Sequence, residues 1–263
     1  MSKKSDSCLL GAIAGDCIGS IYEYIGQKSP DFPLFSQSSQ VTDDSILTLA
    51  IADAILNGCS YQEYLHQYAW AYPDSDLGGG FRAWMHSKDP QPYNSFGNGS
   101  AMRVSPVGWA FNTVEDVLHE AEASAAVTHN HPEGIKGAQA VALAIFLARN
   151  GSTKEAIRKD LTERFGYDLD RRVDEIRPTY GYDVTCQGTV PPAIVAFLDS
   201  QDFEDAIRKS VSLGGDADTL AAITGSIAEA FYGGVPEKIV QEVRKRVPEE
   251  LWDVVERFSE KFI

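Results

Sequence analysis

Two short stretches carry oxygen donors at a spacing that suits a hard cation. Val41–Ser45 reads VTDDS and Gly214–Ala222 reads GGDADTLAA. Each sets two carboxylates and a threonine hydroxyl at the start of an apolar run. Mg²⁺ and Mn²⁺ take their ligands from carboxylates, hydroxyls and water. Thr42, Asp43 and Asp44 supply three such donors, and Asp216, Asp218 and Thr219 supply three more. Four carboxylates suffice for two neighbouring divalent ions. Helix capping is the competing reading, because Asp and Thr accept hydrogen bonds from the free N–H groups of a helix start. One cap per helix accounts for Thr42 or Asp43 and for Asp216. It does not require a second carboxylate, and no Lys or Arg follows either stretch within ten residues. Spacing alone leaves both readings open.

A third stretch, NSFGNGSAMRVSPVGW from Asn94, is a Gly/Ser/Asn loop that runs into a helix. Backbone N–H groups at such a loop can cradle an anion, phosphate above all. Ser95, Phe96, Gly97, Asn98, Gly99 and Met102 are its candidate ligand contacts. An ordinary turn and cap would read the same way. Beside a divalent site, the loop points to a phosphorylated, nucleotide-like ligand. His129 and His131 precede Pro132 and either touch that ligand or cap a helix. Tyr182 has the aromatic face to stack on a purine, and equally the bulk for core packing. Asp16 is expected to be buried and hydrogen-bonded for structure. Arg103 follows the phosphate loop and either serves it or, on a helix, faces an acidic neighbour. His66, His86 and His119 read as surface or core residues.

The elements that must position these residues are helical nearly everywhere. Ile46, Leu47, Ala50, Ile51, Ala54 and Ile55 make one apolar face that stops at Asn57-Gly58. HPEGIKGAQAVALAIFLARNG reads as a long helix with Pro132 in its first turn and Asn150-Gly151 at its close. SYQE at Ser60 and STKE at Ser152 have the form of capping boxes. Gly11, Gly15 and Gly19 recur at four-residue spacing, which lets helix backbones approach closely. Only YGYDVTCQGTV, from Tyr180, suggests an extended segment. The expectation is one all-α domain over residues 1–263, with many helices.

The chain has 263 residues, 43% hydrophobic and 23% charged, with 23 basic against 38 acidic side chains and a formal net charge of −15. This surface repels nucleic acid and anionic membranes. No apolar run is long enough to span a bilayer. A signal peptide is disfavoured because Asp16 interrupts the first apolar run. Cys8, Cys17, Cys59 and Cys186 lack metal spacing and suit a reduced, cytoplasmic protein.

Five stretches, in order, resemble the ADP-ribosylglycohydrolases. They are GAIAGDCIGSIYE (Gly11–Glu23), VTDDS, SFGNGSAMRVSPVG (Ser95–Gly108), THNHPEGIKGAQA (Thr128–Ala140) and GGDADTLAA. The resemblance implies an all-α fold and a dinuclear Mg²⁺ or Mn²⁺ centre. It implies Thr42, Asp43, Asp44, Asp216, Asp218 and Thr219 as the ligands. It places the ADP-ribose diphosphate on Ser95–Asn98 and His129 in contact with the ligand. Glu23 falls at the acidic position that the serine-linked branch uses near the scissile bond, and Glu23 or Asp44 is the candidate for handling the proton. The implied substrate is an ADP-ribosylated protein, through serine or arginine, or a small ADP-ribose conjugate. Two rivals stay open: a two-metal phosphoesterase and a non-catalytic ADP-ribose-binding module.

Overall fold

The computed structural model describes residues 7–263. In chain order its helices are α1 (Leu10–Gly19), α2 (Asp43–Asn57), α3 (Tyr61–Ala71), α4 (Gly79–Met85) and α5 (Gly99–Met102). They continue with α6 (Ser105–Ala110), α7 (Val114–Ala126), α8 (Pro132–Arg149), α9 (Lys154–Phe165) and α10 (Val173–Ile176). The last five are α11 (Cys186–Leu198), α12 (Phe203–Val211), α13 (Ala217–Tyr232), α14 (Glu237–Arg244) and α15 (Glu249–Phe262). Among the described residues there is no strand, only an isolated bridge between Gly97 and Thr185. None of these helices is long and apolar enough to cross a membrane.

The centre of the molecule is a pair of helices in backbone contact. All of α1 is buried, and α13 is buried from Ala217 to Ala230. The glycines at four-residue spacing make this possible. A methyl group on Gly11 would meet the Gly225 carbonyl oxygen at 2.2 Å, and one on Gly15 would meet the Ala221 oxygen at 2.0 Å. One on Gly19 would lie 2.4 Å from both the Ala217 oxygen and the Asp218 Cα. The third contact reaches the acidic stretch itself, so the central packing sets where Asp218 sits.

The start of α1 is capped from α13. Leu9, in the left-handed region at φ 75°, offers no side-chain acceptor. Glu229 Oε2 instead accepts the Gly11 N–H at 2.9 Å. Burial of Glu229 outweighs this bond and pushes its carboxyl up to about 8. Unfolded, the group loses its proton near pH 4.5; folded, it keeps it until about pH 8. Its contribution to stability is therefore full below about pH 4.5 and is lost as pH rises to about 8. Glu229→Gln keeps an oxygen acceptor and cannot ionise. Melting temperatures of the two proteins should agree at pH 5 and diverge by pH 8.5, with the variant higher. Parallel curves would rule out Glu229 as the titrating group.

Three local expectations are corrected. The segment from Tyr180 is not a strand: Tyr180–Val184 is a loop and Cys186 already opens α11, with Thr185 accepting the Gly188 N–H at 3.1 Å. Pro191 and Pro192 lie inside this helix. Pro192 leaves the Gly188 carbonyl without its helical donor, and the Tyr180 hydroxyl donates to that carbonyl at 3.0 Å. Ser60 makes no side-chain cap, and α9 is capped by Thr153 rather than Ser152. Among the described residues Arg103 forms no ion pair, although it shares a cleft wall with Asp43. It is buried, donating through Nη2 to Thr128 Oγ1 at 2.9 Å and to the Ser124 carbonyl at 3.3 Å.

Candidate active site

The two acidic stretches meet, because the buried Asp16 of α1 holds one of them against the helix pair. Asp16 accepts Thr42 N–H at 2.9 Å, Thr42 Oγ1 at 2.7 Å and Ser45 N–H at 3.1 Å, and the Ser45 hydroxyl as well. Burial raises its carboxyl to about 6 against the pull of those bonds. Asp16 is thus structural, as expected: it anchors the first turn of α2 and so aims Asp43 and Asp44. Thr42 is buried, donating its proton to Asp16 and accepting the Asp44 N–H at 3.3 Å. One lone pair remains on its hydroxyl.

From the other side, Asp216, Asp218 and Thr219 open α13. Asp216 Oδ2 accepts Asn98 Nδ2 at 2.6 Å, and Asp218 Oδ1 accepts the Thr219 N–H at 3.0 Å. Thr219 Oγ1 bridges the stretches by donating to Asp44 Oδ2 at 3.3 Å, while Asp44 Oδ1 is buried without a partner. Oxygens of Glu23, Asp216 and Asp218 lie within 4.8 Å of one another. Among the described residues, none of these carboxylates forms an ion pair with Lys or Arg. Burial, then the neighbouring carboxylates, holds Asp43, Asp44 and Asp218 well above the ordinary range. Burial also raises Asp216 and Glu23. Buried like charges of this kind need a counter-charge. The unpartnered Asp44 oxygen and the all-oxygen donor set fit a hard divalent cation.

The cluster opens into a cleft of about 420 Å³, within the roughly 300–1,000 Å³ typical of small-molecule sites. Of the expected contacts, Ser95, Gly97, Asn98, Gly99, Met102, His129 and Tyr182 line it, with Glu23, Asp43, Asp44, Asp216, Asp218 and Thr219. Phe96 does not: it is exposed, its ring 5.3 Å from that of His131. The anion loop offers fewer free donors than its sequence suggests. Gly97 N–H is taken by Ser95 Oγ at 3.1 Å and Asn98 N–H by the Val184 carbonyl at 2.8 Å. His131, not His129, caps α8. Tyr182 is exposed, stacks on Tyr24 at 6.0 Å and donates to Glu23 Oε1 at 2.9 Å. His66 lies in an aromatic contact with Trp70 and Trp84, away from the cleft.

Sequence reading missed Asp76, Tyr93, Tyr24 and Val184 in the lining. Asp76 adopts φ 62° and sits in DSDLGGG, and an aspartate beside three glycines, residues that tolerate the left-handed region, was a usable signal. Nothing local marks the other three. Lys28 was also missed. Its ammonium donates to the carbonyls of Tyr180 at 2.7 Å, Arg177 at 3.0 Å and Leu213, with Gly214 at 3.4 Å. It ties the segment carrying Glu23 to the loops leading to Asp216 and Tyr182. The double glycine has its reason here. A Cβ on Gly214, at φ +66°, would lie 2.8 Å from the Gln27 oxygen, and one on Gly215 would lie 2.7 Å from the Tyr180 ring. Lys28→Met should lower stability by about 1–3 kcal/mol. It should also weaken Mn²⁺ binding at the cluster by roughly ten-fold, measured by calorimetric titration. Unchanged Mn²⁺ affinity would limit Lys28 to holding the fold.

A family model described as ADP-ribosylglycohydrolase matches residues 3–263. The chain is 28% identical to the mouse (Mus musculus) ADP-ribosylhydrolase ARH3, over 88% of this chain and 84% of that protein. It is 26% identical to ADP-ribosylarginine hydrolase Tri1 of Pseudomonas putida, over 95% of this chain and 78% of that one. A solved structure titled ADP-ribosylglycohydrolase-related protein complex superposes with a TM-score of 0.75 at 24% identity, covering 98% of this chain and 97% of its own. That likeness establishes the all-α fold.

Proposed function

This chain belongs to the ADP-ribosylglycohydrolase family of glycosyl-bond hydrolases, and we propose that it cleaves the bond between C1″ of ADP-ribose and a protein side chain, serine by preference over arginine. The observation that carries the reading is one cleft shared by an uncompensated acidic cluster and a glycine-rich loop with His129. The serine preference rests on GDCIGSIYE, whose Glu23 lies beside Asp216 and Asp218. Thr42, Asp43, Asp44, Asp216, Asp218 and Thr219 would hold two divalent ions, Mg²⁺ or Mn²⁺, with Glu23 completing the group. Such ions, when bound, supply Lewis-acid polarisation and lower the pKa of water.

The residues of the chain divide the remaining work. The Ser95–Gly99 loop and His129 hold the diphosphate, and this remote binding energy positions C1″. Tyr182, on the cleft wall, offers its ring to the adenine or the acceptor side. Water adds its oxygen to C1″ as the C1″–acceptor bond breaks, through an oxocarbenium-like transition state. One of its protons passes to Glu23 or Asp44, that carboxyl gives a proton to the departing acceptor oxygen, and the acceptor leaves as a free hydroxyl. The products are ADP-ribose and an unmodified side chain.

Release of free ADP-ribose from serine-linked and arginine-linked substrates, with Mg²⁺, with Mn²⁺ and with chelator, tests this. Metal-dependent release from the serine substrate is expected. Release from the arginine substrate alone would overturn the acceptor. AMP as the product would make the protein a phosphoesterase. ADP-ribose binding without release would leave a binding module.

A further inference from the structure

His129 is held by a short chain of hydrogen bonds that runs back to the buried Arg103 on the inner wall of the cleft. Arg103 donates through Nη2 to Thr128 Oγ1 at 2.9 Å, and Thr128 Oγ1 lies 2.6 Å from His129 Nδ1. The direction of this chain follows from chemistry. A guanidinium only donates, so Thr128 Oγ1 accepts from Arg103. Thr128 is fully buried, and its single hydroxyl hydrogen has one acceptor beside it, His129 Nδ1. A proton on Nδ1 would leave that hydroxyl between two donors with its own hydrogen unmatched, at a cost of about 1–3 kcal/mol. We propose that Arg103 and Thr128 are positioning residues that set His129 as the Nε2–H tautomer, so that it presents an N–H donor to an anion on the Ser95–Gly99 loop. The anion's identity as the ADP-ribose diphosphate rests on the function proposed above; the tautomer does not.

The surroundings of the ring support the assignment. Nε2 faces the loop: a Cβ on Gly99 would sit 3.3 Å from it, and one on Gly97 would sit 3.6 Å away. Those two glycines keep the space between ring and loop open. Gly134 lets the Ser95 carbonyl and the His129 Cβ close in on α8, at 2.7 and 3.0 Å from where its own Cβ would be. Burial first, and the Arg103 charge second, hold the imidazole well below its ordinary pKa. The ring is therefore neutral at pH 7, and a neutral imidazole has one donor to place. The relay decides where.

The test has two arms. Nitrogen-15 NMR of the imidazoles in the unliganded protein, with His129→Gln for assignment, should find Nδ1 bare and Nε2 protonated. Thr128→Val should shift that balance toward the other tautomer and weaken ADP-ribose binding about five- to ten-fold, while Thr128→Ser keeps both at the wild-type values. A protonated Nδ1 in the wild type, or a Thr128→Val protein with unchanged tautomer or unchanged affinity, overturns the proposal. Wild type that has the expected tautomer but binds no ADP-ribose would instead sink the ligand assignment, leaving the relay standing.

Discussion

Asp218→Asn should abolish turnover while raising the melting temperature of the cation-free protein. The two effects have one cause. Asp218 is buried at the start of α13 with Asp216 and Glu23 close by, and burial followed by the Asp216 and Asp44 charges pushes its carboxyl well up. A group whose folded pKa is raised holds full stability only below its unfolded pKa, and neutral pH lies far above that. Without cations, keeping this carboxyl in the cluster therefore costs stability at pH 7, whether it takes up a proton or stays charged. Asparagine has no carboxyl to titrate and keeps an oxygen for the Thr219 N–H, now accepted at 3.0 Å by Oδ1. With cations the sign reverses. A lost carboxylate ligand forfeits several kcal/mol of charge stabilisation, and at about 1.4 kcal/mol per decade this is on the order of a thousand-fold in rate. The variant should also lose most of the rise in melting temperature that Mn²⁺ gives the wild type. Calorimetry with chelator, then with Mn²⁺, alongside ADP-ribose release, reads all three. A variant that melts lower without cations and still turns over would make the cluster a structural feature.

The acidic stretches were legible because their oddity is local: each exceeds what one helix cap needs, within five residues. The anion loop was legible for the same reason. What joins them was not. Glu23 enters the cluster only because Lys28 folds its segment onto the carbonyls of Leu213 and Tyr180, and four backbone acceptors leave no mark in a sequence. The loop's donor count was overestimated because Val184, 86 positions from Asn98, takes one N–H across the isolated bridge. The surroundings of Arg103 were only partly legible: it lines the cleft with Asp43 but pairs with no carboxylate among the described residues. A buried cation usually finds an acid, whereas here it lies 5.8 Å over the Phe81 ring and spends its Nη2 on Thr128 and Ser124. The helices themselves were readable from period and punctuation. The capping errors at Ser60 and Ser152 are one-residue matters of backbone geometry at helix starts.

Gly15→Ala should destabilise the protein by roughly 3 kcal/mol or more, against the ordinary direction of that change. Inside an exposed helix the same substitution gains about 1 kcal/mol, because alanine restricts the unfolded chain and glycine does not. Here the added methyl would sit 2.0 Å from the Ala221 oxygen and 2.6 Å from the Ala222 nitrogen. Those are backbone atoms of α13, so no rotamer change relieves the clash and the helices must part. Parting them moves Asp218, whose Cα lies 2.4 Å from where a Gly19 methyl would be, and tilts Asp16 away from Thr42. The loss should therefore appear in cation affinity as well as in stability. Gly79→Ala is the control: that glycine lies in α4 with nothing within 4 Å of its added Cβ, and the change should be neutral or stabilising by up to about 1 kcal/mol. Chemical denaturation of both variants decides the matter. If Gly15→Ala proves as stable as Gly79→Ala, the close approach of α1 and α13 is not what sets the acidic residues in place, and α2 must carry that role through Asp16 alone.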